Sequence, residues 1–315
     1  MFALPFSVSP GRHQMPVLLS CLVAGAAAIA GPVAVSHATG SLVALYQFQN
    51  AANLGADSSG NGNTLSLSAA TYITQDTSGP YGSGSDGITI PGNGNANNDL
   101  LTTSALQSSS GAAGGVPAGV PLGDSAWTVA AWVQTTSPGG YSGTSQDGII
   151  GWGQRSFPAS GQPGPSMSFR LRDNGNPNTG LDDYYLGNDT VGTSTTVNIS
   201  DGSWHFVAAT WNGTDKTLYV DGAQIGQEAL TNGLNLANQG FNIGADGSGS
   251  EPFDGNLSDV AIYNAALSAS QLQSIQTTGN FAVAAVPEPG AIILLAAGAS
   301  GMLLLRKRGR RITVA

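Results

Sequence analysis

One stretch constrains the fold of this chain more than any other: Trp204 to Gly222, reading WHFVAATWNGTDKTLYVDG. Its first run alternates Trp204, Phe206, Ala208 and Thr210 on one face with His205, Val207, Ala209 and Trp211 on the other. Both faces carry apolar bulk, so the strand has to be covered on both sides. Asn212-Gly213 supplies a turn, Lys216 to Val220 returns, and Asp221-Gly222 turns again before Ala223 to Ile225. A strand of this kind belongs in the middle of a stacked-sheet protein.

The composition agrees. Only 9% of the 315 residues are charged, and glycine contributes 45 of them. Short strands joined by many turns use residues in these proportions, whereas helices are rich in Glu, Lys and Leu. The formal net charge of −9 conceals a segregation. Five of the ten basic residues lie between Arg306 and Arg311, and Arg12 lies near the start. Between Asp57 and Asp259, four basic residues face eighteen acidic ones, which leaves −14. Such a body repels nucleic acid and attracts cations. The one cysteine, Cys21, excludes an intrachain disulfide.

Along the chain, strands are expected at Leu42 to Phe48, Thr64 to Ser68, Asp86 to Ile90, Ala126 to Thr135, Gly148 to Gly153, Met167 to Arg172 and Asp182 to Leu186. Further strands are expected at Phe241 to Gly244 and Leu257 to Tyr263. Residues 103–125 and 155–165 read as surface connections. One helix of about two turns is expected, opened by a capping box at Ser268 and Gln271 with Leu267, Leu272 and Ile275 as its apolar contacts.

The two ends read as sorting signals. Residues 1–38 form a secretory signal: Arg12, an apolar run from Pro16 to Ile29, and small residues before a cut at Thr39. The alternative, a lipoprotein signal at Cys21, lacks an apolar run ahead of the cysteine. Residues 281–315 form a separate tail containing Val286, Pro287, Glu288 and Pro289, a short apolar segment at 291–305 suited to a transmembrane helix, and a basic end. The order of motif, apolar segment and basic end resembles a PEP-CTERM signal. That resemblance implies processing by exosortase after transient insertion in the inner membrane, then display at the cell surface or release. A plain tail anchor is the alternative.

The body, 39–280, resembles the laminin G-like, concanavalin A-like jelly-roll superfamily. Four pieces carry the likeness: Leu42 to Phe48 with the loop DSSGNGN, AWTVAAWVQT, the hairpin above, and PFDGNLSDVAIYNAALSASQL from Pro252 to Leu272. The resemblance implies an all-β sandwich of two antiparallel sheets, with first and last strands adjacent and one short helix near the end of the domain.

Catalytic chemistry finds little support in these residues. Glycosidases of this fold carry alternating carboxylates on one strand, about 5 Å apart in retaining enzymes. Glu251 and Asp254 have the wrong spacing, and Asp182 and Asp183 are adjacent, so they point to opposite faces. His205, the one histidine of the mature chain, lies between two strand aromatics and reads as structural. Calcium is the metal that the residues suit best. Asp57-Ser-Ser-Gly-Asn-Gly-Asn63 offers oxygens at alternate positions, although Ser68 stands where an EF-hand needs glutamate. Family resemblance then implies Asp57 as main ligand, Asn61 and Asn63 as helpers and Asp259 as partner from the last strand. The plainer reading is an Asx-turn loop. Trp152, Tyr141, Tyr184 and Tyr185 are candidate sugar platforms, while Trp127, Trp132, Trp204 and Trp211 are expected in the core.

The expectation is therefore an exported, non-catalytic surface or matrix protein that binds carbohydrate, such as exopolysaccharide or biofilm glycan, with structural calcium. An adhesive protein with protein partners is one alternative, and a glycoside hydrolase is the other.

Overall fold

The structure, a computed structural model, describes residues 41–67, 73–82, 84–92, 101–102, 115–137, 146–153, 166–172, 180–185, 188–191, 198–230, 233–246 and 251–282. Among these residues, fifteen strands precede one helix. They are β1 (Leu42–Tyr46), β2 (Ser66–Leu67), β3 (Thr74–Asp76), β4 (Gly87–Pro91), β5 (Leu101–Thr102), β6 (Trp127–Gln134), β7 (Gln146–Gly153) and β8 (Ser166–Arg172). Then come β9 (Gly180–Tyr185), β10 (Asn188–Val191), β11 (Trp204–Trp211), β12 (Asp215–Val220), β13 (Ala223–Ala229), β14 (Asn242–Ile243), β15 (Asp254–Tyr263) and α1 (Ala269–Thr278).

Two antiparallel sheets form. The first has the order β13-β12-β11-β6-β15-β4-β3, and β1 also pairs with β15. The second runs β10-β9-β8-β7-β14-β5-β2. First and last long strands are thus neighbours, as the family resemblance implies. Three strands were not expected from the sequence: β3, β5 and β10. All are two to four residues long, too short to show a period.

The two-sided character of β11 has a direct cause. Val207, Ala209 and Trp211 face the core between the sheets, packed with Trp127, Trp152, Phe169 and Leu218. Phe206 and Ala208 face outward into a second cluster with Trp132, Tyr219, Tyr263, Leu272 and Ile275. So one face is covered by the second sheet and the other by α1. Burying Leu272 and Ile275 stabilises the helix by roughly 2 kcal/mol each.

The helix starts where the sequence places it. Ser268 N–H donates to Gln271 Oε1 at 2.8 Å, and Gln271 N–H donates back to Ser268 Oγ at 3.4 Å. It ends at Gly279, whose φ of 65° closes the last turn and whose N–H donates to the Ile275 carbonyl at 2.9 Å. At ten residues it is longer than the two turns expected.

Two buried ion pairs brace the second sheet. Lys216 on β12 reaches across the sandwich to Asp183 on β9, with Nζ 3.2 Å from the carboxylate and 2.7 Å from the backbone carbonyl. Arg170 on β8 meets Glu251 at 3.0 Å. Cutting one partner from a pair this deeply buried costs about 3–5 kcal/mol.

Candidate functional site

The DSSGNGN loop wraps the free edge of β1. Asp57 Oδ1 accepts from Leu45 N–H at 3.0 Å and from Ser59 N–H at 2.9 Å. Its Oδ2 accepts from Ser59 Oγ and Asn63 N–H, both at 2.9 Å. Burial opposes ionisation of this carboxyl, but the donors from Leu45, Ser59 and Asn63 outweigh it and hold the pKa below the usual carboxylate range. Asn61 donates its amide to the carbonyls of Leu42 and Val43, and Asn63 donates to those of Val43 and Ala118. An edge strand otherwise presents unpaired backbone groups, and this loop satisfies them.

Three of the four residues expected at a calcium site therefore converge, on β1. Asp259 instead meets the side chain of Gln47, one residue beyond β1. Among the described residues, no three of His, Cys, Asp and Glu come together. The Asp57 oxygens already hold four donors, and both asparagines aim nitrogen, not oxygen, at the strand, so calcium could be held only after the asparagine amides turn.

Asp259 occupies a distinctive position. On one edge of β15, β4 pairs as far as Leu257 and β1 begins at Val260, so Asp259 falls in the gap where two strands meet end to end. On the other edge, pairing with β6 slips by one residue between Ser258 and Ala261. This bulge puts Asp259 at a φ of 49°, a strained backbone for a residue other than glycine. Its side chain is 4% exposed. Gln47 Nε2 donates to Oδ1 and Ser258 Oγ to Oδ2, both at 3.2 Å. Burial outweighs these two donors and pushes the carboxyl up to about 6.

The gap opens as a pocket of about 320 Å³, at the small end of the range for small-molecule sites. Gln47 and Gln49 line it from the end of β1, Tyr81, Gly84 and Ser85 from the turn before β4, Thr278 and Gly279 from the end of α1, and Asp259 from its base. Tyr81 is 41% exposed, and no other large hydrophobic side chain is as exposed among the described residues. Its ring is held, not loose. It meets Trp132 edge-on with centroids 5.4 Å apart, accepts from Trp132 Nε1–H at 3.0 Å, and donates to the Ile275 carbonyl at 3.3 Å. Burial of its hydroxyl pushes the phenol up to about 12, so it stays protonated.

The remaining sequence candidates sort clearly. Trp152 is wholly buried, donates to the Pro121 carbonyl at 3.1 Å and packs on Trp127 and Phe241. The expectation of a sugar platform there is corrected: strand β7 carries the ring inward. Trp127, Trp132 and Trp211 are core, as expected, and Trp204 is half-buried against the outer cluster. His205 bonds Asp221 at 2.8 Å and Asp201 at 3.3 Å, which raise its pKa against the opposing effect of burial, and both ring nitrogens are engaged. Of the acids weighed for hydrolysis, Asp183 and Glu251 sit in the two buried ion pairs. Burial raises the pKa of Asp254. Tyr141, the side chains of Asp182, Tyr184 and Tyr185, the signal at 1–38, the segment at 291–305 and the motif residues Val286, Pro287, Glu288 and Pro289 lie outside the described residues.

Tyr81, Gln47 and Gln49 escaped the sequence reading. One signal was present: Tyr81 is a lone aromatic in the run SGPYGSGSDG, where nothing local would bury it.

The family model of the concanavalin A-like lectin/glucanases superfamily matches residues 107–273, more than half of the chain. The chain belongs to this superfamily. Among solved structures of the same fold, it is similar to domain 4 of AbnA, a GH43 extracellular arabinanase from Geobacillus stearothermophilus, in complex with arabinotriose. That likeness has 19% identity and a TM-score of 0.51 and covers 76% of this chain and 99% of the other. It is also similar to the binding domain of Paraclostridial Mosquitocidal Protein 1, at 16% identity and a TM-score of 0.50, over 76% of this chain and 52% of the other. The chain thus spans about half of the second structure. At these identities both likenesses concern the fold. Curated proteins yielded no match. The family match covers β6 to the first half of α1, and the site's Gln47, Gln49 and Tyr81 precede it.

Proposed function

We propose that this superfamily member is an exported, non-catalytic carbohydrate-binding protein, and that the pocket between β1, β4 and α1 is its binding site. The observation that carries the reading is Tyr81: a rigidly held, exposed ring beside a buried carboxylate and two carboxamides. Sugars present apolar C–H faces ringed by hydroxyls, so an aromatic platform flanked by fixed polar groups suits them. The arabinanase domain in complex with arabinotriose shares the fold and adds support. A non-catalytic role is supported by the ion pairs that hold Asp183 and Glu251.

Export, exosortase processing and surface display rest on the terminal sequences. Mass measurement of the secreted protein, expected to end near Pro287, Glu288 and Pro289, tests them. A structural calcium at Asp57, Asn61, Asn63 and Asp259 is a second reading. It is favoured by three of these residues meeting on one strand edge and requires the asparagine amides to turn. A glycan array probed with the full chain tests the main reading, with bound glycans assayed afterwards for new reducing ends. Binding without hydrolysis is expected. Hydrolysis lost on Glu251→Gln or Asp254→Asn would make the chain an enzyme, and binding of no glycan would remove the carbohydrate reading altogether.

A further inference from the structure

The electrostatics of the pocket go further than its shape. Among the described residues its one charged lining group is the Asp259 carboxylate, and no Lys, Arg or His lines it. The end of α1 that closes it, Thr278 and Gly279, is the negative end of the helix dipole, and no basic residue occupies the last turn to offset it. The two carboxylate oxygens each accept one neutral donor, from Gln47 and Ser258, which leaves lone pairs for a further partner. The Tyr81 ring lines the pocket at 41% exposure, and aromatic rings attract cations. The surrounding body, with four basic residues against eighteen acidic, adds a long-range field of the same sign.

Building on the carbohydrate reading, we propose that this pocket selects sugar units bearing a free ammonium group, and rejects uronic and other anionic sugars. The ammonium would sit between Asp259 and the carbonyl end of α1, with the sugar face on Tyr81 and its hydroxyls toward Gln47 and Gln49. A buried carboxylate with two weak donors gains most from a cationic partner, since a charge-assisted hydrogen bond in a low-dielectric site is roughly twice as strong as a neutral one. An acetylated amine lacks that charge, and a uronate would place a second negative charge against the first.

The test is calorimetric titration of the full chain with tetramers of glucosamine, N-acetylglucosamine and galacturonic acid, at about pH 7. The glucosamine tetramer should bind about tenfold more tightly than the acetylated one, and the galacturonate tetramer should not bind. The preference should vanish in Asp259→Asn, where asparagine keeps the Gln47 contact and tolerates the positive φ. Equal binding of amine and acetylated tetramers, or a preference that survives Asp259→Asn, would overturn the inference and leave the carbohydrate reading standing. Binding restricted to the uronate would overturn it too. If no glycan of any class binds, it is the carbohydrate reading that fails. The comparison of the three tetramers on the unaltered chain needs no variant, so a misfolded Asp259→Asn cannot obscure the answer.

Discussion

Two aspartates attend the same short strand, and their surroundings push them in opposite directions. Asp57 bonds the Leu45 backbone of β1 and receives four donors, which hold its pKa down. Asp259 bonds Gln47 just past the end of β1, receives two weak donors, and is pushed up to about 6 by burial. The first carboxylate is fully engaged in closing a strand edge. The second is desolvated at the base of a pocket with bonding capacity left over. A recognisable Asp/Asn loop marked the first aspartate, and an unremarkable Ser-Asp-Val marked the one at the base of the pocket.

The contrast breaks or sharpens under mutation, beginning with the largest effect. Asp57→Ala removes four hydrogen bonds and exposes the edge of β1, so it should cost about 2–3 kcal/mol in chemical denaturation. A loss near zero would mean that the loop does not close the strand. Asp57 also has a depressed pKa. Its contribution is present above the unfolded carboxylate range and lost as pH falls through its folded value.

Asp259 carries the reverse sign. Its ionised form is disfavoured by burial, so its penalty is full above a pH of about 6 and relieved as pH falls from there toward the unfolded value of 3.8. Asp259→Asn should therefore raise stability at neutral pH by about 1–2 kcal/mol, with the gain shrinking across that window. Denaturant titrations at several pH values would show it. A variant less stable than wild type at neutral pH would mean that the charge is compensated.

The smallest expected effect concerns calcium. With the Asp57 oxygens holding four donors, millimolar calcium should leave the Tm unchanged. A ligand that binds only the native state must stabilise it, so a calcium-dependent rise would show that the loop turns its oxygens inward and would restore the metal reading.

Much of the fold was legible because period and turn chemistry are local. The alternation of β11, the Asn212-Gly213 turn and the Ser268 capping box each announce themselves within a few residues. The reason β11 is apolar on both faces was half legible: two covers were required, but the sequence did not say that one is α1. The candidate site was scarcely legible. Gln47, Tyr81 and Asp259 are far apart in the chain, and they meet because β1 and β4 share one edge of β15 and leave a gap. The one-residue bulge that aims Asp259 into that gap is a property of pairing, which no single strand displays. Trp152 misled for a similar reason: the strand through Gly153 is legible, but which of its faces meets the core is set by how the sheets stack.

The most direct test of the central claim compares Tyr81→Ala with Asp57→Asn in binding a glycan found on the array, measured on the full chain. If the pocket is the binding site, Tyr81→Ala should weaken affinity by about tenfold or more. Asp57→Asn should lower stability and leave affinity unchanged. Undiminished binding by Tyr81→Ala, or loss of binding confined to Asp57→Asn, would contradict the account and move the site to the loop.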